Sequence, residues 1–156
     1  MGNCCSRIEA EGIILRKLHR DIKTPTRATG LAAGLDLYSP NDYCIPARGK
    51  LLIPTGLYIQ LPDDSYGRIA PKSGLAYHQS LHVGAGVLDC DHQGEVQVLL
   101  FNFSAHPYQV RRHEPIAQLI VERIYRPPIY LVHQFTRSSA RGTYGFGSGV
   151  MEFHSM

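Results

Sequence analysis

From Ile13 onward the chain runs in short apolar segments broken by Pro and Gly: IILRKL, GLDLYSP, YCIPARG, LLIPTGLYIQLP, YGRIAP, HPYQVRR, IAQLIVERIYRPP and IYLVHQF. Segments rich in Ile, Leu, Val and Tyr, closed by turn residues about every 8 to 12 positions, predict the strands of a sandwich or jelly roll. Helical spacing of apolar positions is confined to Ser73 to Gln79, so one short helix is the most this all-β pattern allows. The stretch Gly84 to Asn102, GAGVLDCDHQGEVQVLLFN, sets two apolar runs on either side of a polar reversal and predicts a β-hairpin, with Asp89 and Asp91 at the end of its first strand. In Pro115 to Val121 nearly every position is apolar, which predicts a strand buried on both faces. Gln118, inside that run, then needs a hydrogen-bond partner.

With 156 residues, 44% hydrophobic and 19% charged, the chain has the length and composition of one soluble domain. No apolar run approaches the ~18 residues of a membrane span. The net charge of +3 is mild and its Lys and Arg are scattered, which excludes a nucleic-acid groove but leaves room for a local anion site. Cys4, Cys5, Cys44 and Cys90 form neither a C-x-x-C pair nor a disulfide framework, as expected of a reducing cytoplasmic or nuclear compartment. The start MGNCCS matches an N-myristoylation pattern with Gly2 as acceptor and with Cys4 and Cys5 available for palmitoylation. Membrane association is expected only if these residues are acylated. The expected organisation is a flexible segment over 1–11, a β domain over 12–137 and a Gly-rich mobile arm over 138–156.

A carboxylate at a strand end can orient and deprotonate water, which makes Asp89 a candidate general base, although Asp is also an ordinary turn residue. Four other clusters suit phosphate. Ala33 to Leu37 contains Asp36, and Gln118 stands alone as a polar group in its strand. Lys72 brings charge, while Ser73 and Gly74 bring a hydroxyl and N–H groups at a helix start. Arg141 can grip phosphate oxygens in a fork, and Gly145 to Gly149 lets backbone amides approach closely, with Phe146 free to cover a flat base. No Walker A or G-x-S-x-G sequence is present.

In order and spacing these five clusters resemble the five motifs of the homotrimeric dUTPases, over residues 12 to 149, with YGRIAPKSGLA, VGAGVLD and LLFNFS most like the animal and animal-virus members. The resemblance implies a jelly-roll homotrimer that hydrolyses dUTP to dUMP and pyrophosphate with Mg²⁺, each active site assembled from three chains. It assigns Asp89 to the attacking water, and the Gly86 and Val87 backbone to uracil. Ser73, Gly74 and Gln118 fall to phosphate, and Asp36 to indirect positioning of the metal-triphosphate. In the fifth motif Arg141, Gly147 and Ser148 fall to the phosphate clamp and Phe146 to stacking on the base.

Four positions depart from the family pattern. His92 stands for the Tyr that packs on the deoxyribose, Lys72 for an Arg, His113-Glu114-Pro115 for Gly-Asp-Arg, and Ser148-Gly149-Val150 for Ser-Thr-Gly. These departures motivate an alternative, a catalytically weakened interaction protein of the same fold. The related dCTP deaminases carry a catalytic Glu where this chain has Leu99, which argues against deamination. Zinc ligation by His78, His82, Cys90 and His92 is a further alternative.

Overall fold

The computed structural model describes residues 12–135, 137 and 139. Gly2, Cys4, Cys5, Arg141, Phe146, Gly147 and Ser148 lie outside the described residues. The chain divides into a unit that ends at Tyr125 and a second that begins at Arg126, and the described residues of the second form no helix or strand.

The first unit carries ten strands and one helix: β1 (Ile14–Lys17), β2 (Leu35–Tyr38), β3 (Tyr43–Ile45), β4 (Lys50–Gln60), β5 (Ser65–Ala70), α1 (Ser73–Gln79), β6 (Leu81–Gly84), β7 (Val87–Asp89), β8 (Glu95–Asn102), β9 (Tyr108–Val110) and β10 (Pro115–Arg123). They form two four-stranded sheets, ordered β1-β4-β8-β6 and β2-β10-β5-β7, and a two-stranded ladder of β3 and β9. All the pairings are antiparallel. The all-β architecture and its one short helix agree with the sequence pattern.

Alternation drives the packing of the two sheets. Along β8, Val96, Val98 and Leu100 point into the core at 0 to 1% exposure while Glu95, Gln97 and Leu99 point out. Leu37, Ile69, Leu88, Ile116 and Leu119 meet them from the second sheet. Each such side chain contributes on the order of 1.5–3 kcal/mol by leaving water. One buried polar residue knits the periphery to this core. Asn102 Nδ2 donates to the carbonyls of Ile45, Pro46 and His106, and Oδ1 accepts from the Ser104 N–H and hydroxyl at 2.9 and 2.8 Å.

The hairpin expected over Gly84 to Asn102 is corrected. β7 pairs with β5 at the edge of one sheet, while β8 pairs with β4 and β6 inside the other. The polar reversal at 90–94 therefore hands the chain from sheet to sheet and leaves Asp89 at the exposed end of an edge strand.

Candidate nucleotide site

Three backbone features hold the Asp89 strand. The Ile69 N–H donates to the Gly86 carbonyl at 2.7 Å, and a Cβ at Gly86 would stand 2.5 Å from the Ile69 carbonyl oxygen, so only glycine admits this approach. Ala85 takes φ 50° to start the strand, and the His92 N–H donates to the Asp89 carbonyl at 3.1 Å to close the turn after it. The result is a cavity of about 220 Å³ with Leu88 and Leu99 as apolar wall and Asp89, His92, Glu95 and Gln97 as polar lining. His92 also lines a larger cavity of about 480 Å³ with Arg16, Tyr58 and Asp63, so its ring borders both.

Antiparallel partners share a face of the sheet, which makes the register a map of the site. One row across β7, β5 and β10 reads Asp89, Tyr66, Glu122, and the next reads Val87, Arg68, Ile120. Arg68 Nε donates to Glu122 at 2.7 Å and the Tyr66 hydroxyl donates to the same carboxylate at 3.0 Å. These two donors, the Arg68 bond foremost, hold the Glu122 carboxyl below the usual carboxylate range. The carboxylate in turn pushes the Tyr66 hydroxyl up. No pattern in the sequence pointed to this network.

A third row, Ala70, Gln118, Asp36, gathers the second polar cluster. The Lys72 ammonium donates to Asp36 Oδ1 at 2.5 Å with both side chains largely buried. Gln118 Nε2 donates to the Pro71 carbonyl at 2.9 Å, the partner its apolar strand demanded. A Cβ at Gly34 would collide with the Gln118 side chain at 2.3 Å, which explains the glycine beside it. Ser73 and Gly74 open α1 directly after Lys72, and the space beside Gly74 is open. Tyr66 and Ala70 are four residues apart on β5, so at about 3.3 Å per residue the two clusters lie about 13 Å apart along the sheet.

At the entry to β10 the departure from the expected Gly-Asp-Arg leaves a strained backbone. His113 takes φ 66°, a conformation natural to glycine, while Glu114 accepts from the Tyr108 hydroxyl at 2.5 Å and from the Arg111 N–H at 2.8 Å. Burial, and next the Glu114 bond, push the Tyr108 hydroxyl well up from its ordinary value. The zinc alternative finds no support in the described residues, where no three His, Cys, Asp or Glu side chains gather. His78 stands on α1 and His82 on β6.

A two-sheet β protein with a carboxylate at a slot of base-like size, and a Lys-Asp-Gln cluster further along the same sheet, has the equipment of a nucleotide-handling protein. The dUTPase family profile matches residues 20–150. The chain is 45% identical over 134 residues to a probable deoxyuridine 5'-triphosphate nucleotidohydrolase of Schizosaccharomyces pombe, covering 86% of this chain and 95% of that one. It is 51% identical over 127 residues to the deoxyuridine 5'-triphosphate nucleotidohydrolase of fowl adenovirus A serotype 1, covering 81% and 71%. A dUTPase variant from phage phi11 of S. aureus, whose structure concerns a structural Mg(II) ion, shares the fold with a TM-score of 0.75 at 19% identity, covering 81% of this chain and 100% of that chain. The chain belongs to the dUTPase family.

Proposed function

We propose that this protein hydrolyses dUTP, as the names of its relatives suggest, giving dUMP and pyrophosphate with Mg²⁺. The observation that carries the reading is that Asp89 and His92 line one cavity beside the pinned Gly86 backbone. Asp89 takes a proton from water, the water oxygen bonds to the α-phosphorus in line, and the bond from that phosphorus to the α–β bridging oxygen breaks. The base is read by the Gly86 and Val87 backbone, and His92 packs on the sugar. Lys72, Ser73, Gly74 and Gln118 receive the phosphates, and Arg141, Gly147, Ser148 and Phe146 complete the clamp and cover the base.

The residues present fit Mg²⁺ carried by the substrate. Asp36 is already engaged by Lys72, and no cluster of three His, Cys, Asp or Glu exists among the described residues to form a protein cage. An ion held by phosphate oxygens and waters, with Asp36 acting through them, suits such a site and would draw charge from the departing pyrophosphate.

A homotrimer is part of this reading. The offset of the two clusters, about 13 Å along β5, supports a site that takes Asp89 and Lys72 from different chains. So do the exposed apolar side chains of Ile129, Leu131 and Phe135, at 93 to 100% exposure, which a second copy would cover. The test is pyrophosphate release from dUTP in Mg²⁺, for the wild type and for Asp89→Ala. Absence of release by the wild type, or equal release by both, rejects the reading.

A further inference from the structure

Asp89 shares its row of the sheet with a tyrosine that is turned away from it. Val87 and Asp89 point outward from β7, and Tyr66 and Arg68 stand opposite them on the same face of β5. Side chains directly opposite on such a pair have Cβ atoms about 4.5–5.5 Å apart, so a tyrosine hydroxyl reaches along the row in either direction. Tyr66 takes the direction of β10, where its hydroxyl donates to Glu122 Oε2 at 3.0 Å. Arg68 Nε donates to the other oxygen, Oε1, at 2.7 Å, which fixes the carboxylate in front of the ring. With side chains 47% and 37% exposed, the Arg68–Glu122 pair contributes little to stability. Among the described residues no hydrogen bond reaches the Asp89 carboxylate.

Resting on the assignment of Asp89 to the attacking water, we propose that Glu122, held by Arg68, is a positioning residue of the hydrolytic site: it keeps the Tyr66 hydroxyl off Asp89 and leaves both Asp89 oxygens to water. The physical cause is competition between two carboxylates for one donor. A tyrosine hydroxyl without Glu122 has an ionised carboxylate as its neighbour on the row, and a bond to a charged acceptor is stronger than one to a neutral group. A carboxylate that accepts from a tyrosine has fewer lone pairs for water and holds its charge more firmly, which makes it a weaker general base. Glu122 itself stays ionised because its two donors favour the charged form, so it remains the acceptor at neutral pH.

The test compares Glu122→Met, Glu122→Gln and Glu122→Met in a Tyr66→Phe background, all in the full chain, by dUTP turnover and by crystallography. Glu122 is partly exposed, so these changes leave the fold intact. Methionine keeps the length but removes the acceptor, and kcat should fall about tenfold while KM for dUTP stays within about twofold. Glutamine still accepts the hydroxyl through its carbonyl oxygen and should lose far less. In the Tyr66→Phe background the change to methionine should cost almost nothing, an outcome that a merely structural role of Glu122 does not give. The crystal structure of Glu122→Met should show the Tyr66 hydroxyl bonded to the Asp89 carboxylate. An undiminished kcat in Glu122→Met, a loss that persists without the tyrosine hydroxyl, or a Tyr66 hydroxyl turned to solvent overturns the proposal. The crystal structure needs no turnover. If it shows the Tyr66–Asp89 bond while the wild type releases no pyrophosphate from dUTP, the hydrolytic reading fails and the competition of Glu122 and Asp89 for this hydroxyl stands.

Discussion

Lys72 Nζ lies 2.5 Å from Asp36 Oδ1, joining the residue before α1 to strand β2 across 36 positions of sequence. With side-chain exposures of 24% and 13% the two charges are mostly out of water, where removing one partner costs more than the pair contributes. Lys72→Met should lower stability by about 2–3 kcal/mol and weaken triphosphate binding. Asp36→Asn added to Lys72→Met should return much of the stability but none of the binding. Denaturant unfolding of the wild type, both single variants and the double variant gives the coupling, and additive losses would show that the pair is not an energetic unit.

At Asp89 the prediction separates chemistry from affinity. Asp89→Asn fills the same space and offers a similar carbonyl, but the amide does not accept the proton of the attacking water. Turnover should fall by at least about 10²-fold, the scale of general-base catalysis, while dUMP affinity stays within a few-fold. Near wild-type turnover in this variant would remove Asp89 as the base.

The arrangement of rows along β5 bears on assembly. If one site takes Asp89 from one chain and Lys72 from another, then Asp89→Asn and Lys72→Met, each impaired alone, should restore part of the activity when unfolded together and refolded as mixed oligomers. Sedimentation should give three times the monomer mass. An active monomer, or no recovery on mixing, would place the whole site within one chain.

What was legible in the sequence was whatever depends on local pattern. The apolar run from Val96 to Phe101 and the helical spacing of Ser73 to Gln79 predicted their elements, because β-branched and aromatic residues favour a strand and burial of one face fixes the helical period. Gln118 inside an apolar strand announced that a partner was needed, and only the register supplied Pro71. The error at Gly84 to Asn102 has the same origin. Two short apolar runs around an Asp- and Gly-bearing turn look alike whether the strands pair or part, and the choice is made by β5 and β4, which are distant in sequence. Gln97 was hidden for a similar reason, since alternation puts it outside without saying that a slot lies there.

The Arg68 and Tyr66 bonds to Glu122 make stability depend on pH. The folded state holds the Glu122 carboxyl below its ordinary value near 4.5, so the unfolded chain binds the proton first as pH falls. The contribution is therefore present above about pH 4.5 and is lost as pH drops through the lower folded value. Glu122→Gln should be less stable than the wild type at pH 7, and the difference should shrink steadily below pH 4.5. Because the group is exposed the effect is small and should diminish further in high salt. A difference independent of pH would mean that packing rather than charge holds the network.

His113 offers the opposite kind of change, a substitution expected to stabilise. Its φ of 66° places an L side chain in the left-handed region, at a cost on the order of 1–2 kcal/mol, and the turn is fixed there because the His113 N–H donates to the Ser39 carbonyl at 2.7 Å and Glu114 closes back on Arg111. Glycine adopts this conformation without strain, although it loses more backbone freedom on folding, which returns roughly 0.5–1 kcal/mol. The balance favours His113→Gly by up to about 1 kcal/mol, or roughly 2–4 °C in Tm for a domain of this size. The His113 side chain is exposed, so little packing is sacrificed. The more telling comparison is His113→Val, since a β-branched residue fits the left-handed region worst and should lower Tm from the same starting point. If both variants shift Tm in the same direction, the strain at this position is not what sets its energy, and the side chain of His113 must be making a contribution of its own.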